Sequence, residues 1–131
     1  MPEFLRIPAT FETLEHVSLF IERLTAEEGS RVRSELTLAI HELCVNIVEH
    51  AYAGASGNID IEAEYNGDML EIMVWDTAPN PYTPPDEVNA PDPDSLPEGG
   101  WGIFILHQVF DQVEYMRSDE GNQWRLLKAL A

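Results

Sequence analysis

Lysine and arginine are scarce in this chain: seven basic residues stand against 24 acidic ones, a formal net charge of −17. So acidic a surface argues against nucleic acid and anionic membranes as partners, since both need clustered Lys and Arg. The basic residues also avoid the middle, falling at Arg6, Arg23, Arg31 and Arg33, then at Arg117, Arg125 and Lys128. Between Ser34 and Met116 there are sixteen acids and no Lys or Arg. If that stretch binds phosphate, the positive charge must come from a metal ion, backbone N–H groups or a partner protein.

Cysteine is nearly absent as well. Cys44 alone excludes an internal disulfide, and between Leu43 and Val45 it reads as a buried small hydrophobe. No apolar run approaches the ~18 residues of a membrane helix. The opening MPEFLRIPATFE carries an acid where a secretory signal wants basic charge. A 44% hydrophobic and 24% charged composition is that of a globular chain, and residues 1–131 make one domain with room for a core. The expectation is a soluble cytoplasmic protein.

Residues 35–53, ELTLAIHELCVNIVEHAYA, organise what is present. Glu42, Asn46 and His50 are spaced four apart, so on an α-helix each drifts only about 40° from the last. Leu36, Ile40, Leu43 and Ile47 form the neighbouring stripe, which would face a core. A carboxylate, a carboxamide and an imidazole in line read in two ways. Hard oxygen ligands suit Mg²⁺, which keeps several waters and takes substrate phosphates as further ligands. A solvated polar face reads the same.

Around that helix, EFLRI (residues 3–7) alternates as a short edge strand. Thr10 is placed to cap a helix running to about Glu28 through Leu14, Val17, Phe20, Ile21 and Leu24. Its outer face carries Glu12, Glu15, His16, Glu22 and Arg23. Gly29 stops it, and Ser30 is placed to cap the second helix. Gly54 and Gly57 break the chain after Tyr52. Asn58 to Tyr65 and Met69 to Trp75 then form a hairpin about Asn66-Gly67. Asp76 ends the second strand. The next stretch, 77–98, holds seven of the nine prolines and so no regular structure: a lid or an insertion. Gly99, Gly100 and Gly102 precede a helical segment, a turn whose free N–H groups suit phosphate. Strands at 112–118 and 123–130, joined through Asp119-Glu120-Gly121-Asn122, close the chain.

In this order the pieces resemble a known family. HELCVNIVEHAY is similar to the N box, VWDTAPNPYTP to the first glycine box, and EGGWGIFILHQVFDQVEYMRSDEGNQWRLLK to the second box and terminal hairpin, of the anti-sigma-factor serine/threonine kinases of bacterial partner-switching systems. Gyrase B, histidine kinases and MutL share that wider ATPase family. The resemblance implies a two-layer α/β sandwich with a mixed, mainly antiparallel sheet, helices on one face, and ATP held between helices and a lid at 77–98. It implies Glu42 as general base, Asn46 on Mg²⁺, Asp76 accepting from the adenine amino group, and Ala78 beside it. Gly100, Trp101, Gly102 and Ile103 would wrap the phosphates, and His50 would touch nucleotide or brace the helix end.

Two departures stand out: Ala78 occupies a usual glycine position, narrowing the adenine space or changing the backbone angle, and the lid carries no Arg or Lys. Arg117, Arg125 and Lys128 are expected to lie away from the phosphates. The implied partners are a STAS-domain anti-anti-sigma protein and a sigma factor or other effector, with a homodimer possible through the first helix. The implied activity is phosphorylation of the STAS protein. The alternatives are a nucleotide-binding module acting by stoichiometric protein binding, and a plain acidic interaction domain.

Overall fold

The computed structural model of the chain describes residues 2–82 and 100–130. In order they form β1 (Glu3–Pro8), a 3-10 turn (Phe11–Thr13), α1 (Leu14–Leu24), α2 (Ser30–Asn46) and a π-helical turn (Ile47–Tyr52). Then come β2 (Asn58–Asn66), β3 (Met69–Asp76), α3 (Gly100–Val109), β4 (Gln112–Ser118) and β5 (Gly121–Ala129). The strands build one sheet in the order β1-β2-β3-β5-β4, and every described pairing is antiparallel. The expected α/β sandwich forms. The parallel pair that a mixed sheet would need does not occur among the described residues.

Alternation along the strands decides which face is buried. Ile59, Ile61 and Ala63 on β2, Leu70, Ile72 and Val74 on β3, and Trp124 and Leu126 on β5 are buried. They join one cluster with Val17, Phe20 and Ile21 of α1, Leu36, Ile40 and Leu43 of α2, and Leu106 of α3. Burying each such side chain contributes roughly 1.5–3 kcal/mol. On the opposite face Glu62, Glu64, Glu71, Met73, Trp75 and Arg125 line an open groove. Arg125 there reaches Glu71 at 2.7 Å and Glu114 at 2.8 Å, while Arg6 grips Asp60 at 2.6 and 2.9 Å.

Helix ends differ from the sequence expectation in three places. Thr10 caps only the 3-10 turn and makes no side-chain cap bond. Thr13 is the residue that ties the entry, its hydroxyl donating to the carbonyls of Pro8 (2.7 Å) and Thr10 (2.9 Å). The first helix stops at Leu24, short of Glu28, where the buried Thr25 hydroxyl turns back onto the Ile21 carbonyl at 2.7 Å. Ser30 is already helical, and extended Gly29 is the residue before it, its carbonyl accepting the Arg33 N–H.

The largest departure lies at the C-terminal end of the second helix. Ile47–Tyr52 winds as a π turn, closed by the Ala53 N–H reaching the Val48 carbonyl five residues back, with Ala53 left-handed at φ 48. A π turn advances each residue less about the axis than an α turn. Glu42 and Asn46 share one stripe of α2, and His50 falls in the π turn that follows it.

Strand register extends past the apolar residues. Asp76 follows Leu70, Ile72 and Val74 on the helix-side face, and its cross-strand partners are Ile59 and Asn122. Asn122 in turn pairs with Arg117 of β4. The rows of the core face thus end in a polar row, Asp76–Asn122–Arg117. Gly121 makes the approach possible: at φ +149, an added Cβ would lie 1.9 Å from the Asp76 carbonyl oxygen, whereas Gly67 in the hairpin turn (φ +63) faces open space.

Urea unfolding should separate these two glycines. Gly67→Ala is expected to lose about 1 kcal/mol from its backbone angle alone. Gly121→Ala, with strain and backbone collision together, should lose roughly 3 kcal/mol or more. Equal losses would show that the strands separate at Asp76 without cost.

Candidate functional site

Asp76 sits at the centre of the polar row with 5% of its surface exposed. Its Oδ1 accepts three N–H groups: the Ala78 amide at 2.9 Å, the Asn122 amide at 3.3 Å and Asn122 Nδ2 at 2.9 Å. Its Oδ2 is buried and, among the described residues, has no hydrogen-bond partner. An orphaned buried acceptor costs about 1–3 kcal/mol unless something donates to it. The arrangement of one saturated and one open oxygen fits a ligand N–H donor, and an aromatic amine is such a donor.

The segment after Asp76 is stapled on two sides. Thr77 donates its N–H to the Tyr52 hydroxyl at 3.0 Å, and that hydroxyl donates to the Asn58 carbonyl at 2.5 Å. Arg117 donates to the carbonyls of Ala78 (2.9 Å) and Pro79 (3.2 Å). Asn80 reaches the π turn, its N–H on the Ala51 carbonyl and its Nδ2 on the His50 carbonyl, each at 3.3 Å. Tyr82 donates its N–H to the Tyr115 hydroxyl at 2.8 Å and packs on the rings of Tyr115 and Trp124. Residues 77–82, the start of the expected lid, are therefore an anchored strap; the remainder, 83–98, and Gly99 lie outside the described residues.

The other expected site residues fall as follows. Glu42 and Asn46 are half-buried on one stripe of α2. Among the described residues no group of His, Cys, Asp or Glu side chains is set to hold a metal ion. A cation at Asn46 would take its further oxygens from phosphate and water, as Mg²⁺ commonly does. The side chain of His50 is 57% exposed and lies 4.0 Å from Glu49, so its described link to the strap is its carbonyl. Ala78 is buried, and Ala53 is the only described non-glycine residue at positive φ. The methyl at position 78 thus needs no unusual backbone angle. The helix α3 begins at Gly100, so Gly100, Trp101 and Gly102 form its first turn and do not precede it. Their side chains lie outside the described residues, and Ile103 is buried. First-turn N–H groups have no intrahelical acceptors and meet anions readily.

Asn122, Tyr115 and Arg117 were missed by sequence reasoning. The signal for Asn122 was present: counting back by twos from Leu126 and Trp124 puts a polar residue on the core face.

A family model described as the histidine kinase-like ATPase domain matches residues 7–128. The chain belongs to that family. It is 31% identical over 126 residues to the serine-protein kinase RsbW of Bacillus mycoides, a match covering 89% of this chain and 78% of that one. The RsbW of Bacillus cereus is 31% identical over 130 residues with the same coverage. Among solved structures, the RsbU and RsbW domains of a Mycobacterium tuberculosis protein superpose with a TM-score of 0.72 at 20% identity, over 99% of this chain and 32% of that one. A histidine kinase domain from Erythrobacter litoralis gives 0.59 at 16% identity. These two likenesses speak for the fold of the family.

Cys44 joins core and site. It is fully buried on α2, and burial first, then the negative charge of Asp76, pushes its thiol from an ordinary 9.0 up to about 12. The folded state therefore keeps the thiol neutral where the unfolded chain ionises it. That contribution is full below pH ~9 and is lost as pH rises toward ~12. Relative to Cys44→Ala, wild-type stability should fall by about 1.4 kcal/mol more per pH unit from pH ~9.5 to ~11. The raised Tyr65 and Tyr82 hydroxyls act in both proteins and cancel in that difference. Parallel pH profiles would mean that the thiol ionises in the folded protein.

Proposed function

We propose that this protein is a cytoplasmic ATP-dependent serine/threonine kinase of the anti-sigma type, phosphorylating a STAS-domain antagonist and holding a sigma factor or other effector when unopposed. The observation that carries the reading is the open, buried Oδ2 of Asp76 beside a saturated Oδ1. An acceptor held in this way favours a base bearing an amino group over one bearing an oxo group. The family and the RsbW relatives supply the rest of the support.

When bound, Mg²⁺–ATP supplies the phosphoryl group and the positive charge that residues 34–116 lack. Asn46 offers its carboxamide oxygen to the metal. Glu42, one turn earlier on the same stripe, accepts the proton of an attacking hydroxyl, a role worth on the order of 10²–10⁴-fold. The amides of Gly100, Trp101, Gly102 and Ile103 would hold the phosphates, at the positive end of the α3 macrodipole. Ala78 closes the pocket beside the base, and His50 braces the π turn through its carbonyl.

The second reading, nucleotide binding with stoichiometric protein binding and little transfer, is favoured by the lid sequence, which carries no Arg or Lys. Thermal unfolding and a transfer assay together decide between them. At 100 times its Kd a ligand stabilises by about 2.7 kcal/mol, several degrees for a domain of this size. ATP should raise the midpoint in an Mg²⁺-dependent way, and Asn46→Ala should abolish the Mg²⁺ dependence. Glu42→Gln should keep the shift and lose transfer to a STAS-domain partner. No shift at millimolar ATP would sink both readings, and a shift without transfer in the wild type would favour the second.

A further inference from the structure

Asn122 is engaged at every polar atom of its side chain. Nδ2 spends one N–H on Asp76 Oδ1 at 2.9 Å and the other on the Asn80 carbonyl at 3.1 Å. Oδ1 pairs with the Tyr115 hydroxyl. The direction of each bond follows from the next. Tyr82 N–H can only donate, so the Tyr115 oxygen accepts it and points its single proton at Asn122 Oδ1. That leaves the amide nitrogen facing Asp76. With the amide reversed, two acceptors would meet at Asp76 and two donors at Tyr115.

Building on the adenine reading of Asp76, we propose that Asn122 and Tyr115 are positioning residues that set base selectivity. They hold Oδ1 as the saturated oxygen so that Oδ2 alone is presented to the base. Turning the carboxylate out of its plane would break three hydrogen bonds at once, two of them from Asn122 and only one from the strap, the Ala78 amide. The same amide extends the hold through Asn80, whose N–H and Nδ2 bind the π turn that follows Asn46. Asp76 is thereby braced against the end of the α2 helix and does not depend on its own strand alone.

The test compares ADP with inosine diphosphate, which carries an oxo group where adenine carries its amino group, by calorimetric titration of the full chain with Mg²⁺. The wild type should prefer ADP by roughly tenfold or more, the range of a hydrogen bond to a charged acceptor. Asn122→Ala should reduce the preference to under about threefold, chiefly by weakening ADP. Tyr115→Phe removes only the hydroxyl and keeps the ring against Trp124 and Tyr82, and should lower the preference part-way. Equal weakening of both nucleotides would indicate a merely structural role and overturn the proposal. So would an unchanged preference in folded Asn122→Ala or, should that variant not fold, in Tyr115→Phe. No preference in the wild type would instead remove the adenine reading itself, and the positioning role with it.

Discussion

A carboxylate on the core face of a sheet is the constraint on which the rest of this structure depends. Period-two alternation carries β3 from Leu70 through Ile72 and Val74 to Asp76, so the last inward position is acidic. Left alone there, the group would be expensive to bury. Three N–H donors resolve the cost for one oxygen, and they come from the following strap and from β5. That in turn requires β5 to approach closely, which Gly121 permits, and the strap to stay down, which Arg117, Tyr115 and Tyr52 ensure. The oxygen left open is what makes the place a site.

Charge is distributed consistently with that design. Arg6 and Arg125 are engaged by acids on the sheet, Arg31 pairs with Glu35 along α2, and Arg117 holds the strap carbonyls. Each of these cations is structural where it stands. A phosphate arriving near α2 and α3 would meet Glu42, Asn46 and helix amides, and its charge would call for a metal ion, backbone N–H groups or a partner protein. The acidity of the middle and the proposed Mg²⁺ dependence are thus two aspects of one arrangement.

The π turn gives the same lesson about local and tertiary forces. Residues 47–52 carry no Gly or Pro that would mark a change of winding, and a π turn is rare within a helix. Tyr52, buried with its hydroxyl between Asn58 and Thr77, and Asn80 on the carbonyls of His50 and Ala51 hold the wider turn against the rest of the fold. Four-residue spacing puts Glu42 and Asn46 on one stripe of α2, and the tertiary contacts decide the winding of the turn in which His50 lies.

Local rules were enough for the helices, the Asn66-Gly67 hairpin, the buried Cys44 and the position of Asp76 at a strand end, because periodicity and turn chemistry act over a few residues. Motif order was enough for the family. Alternation alone puts Asn122 on the core face, but its pairing with Asp76 and the parts of Tyr115 and Arg117 became visible only once β4 and β5 were laid beside β3, since a cross-strand row joins residues some forty positions apart. The sequence by itself determined which residues face inward and which family they serve. Only the tertiary structure decided that one oxygen of Asp76 is saturated and the other left open, because that depends on three donors converging from two different segments of the chain.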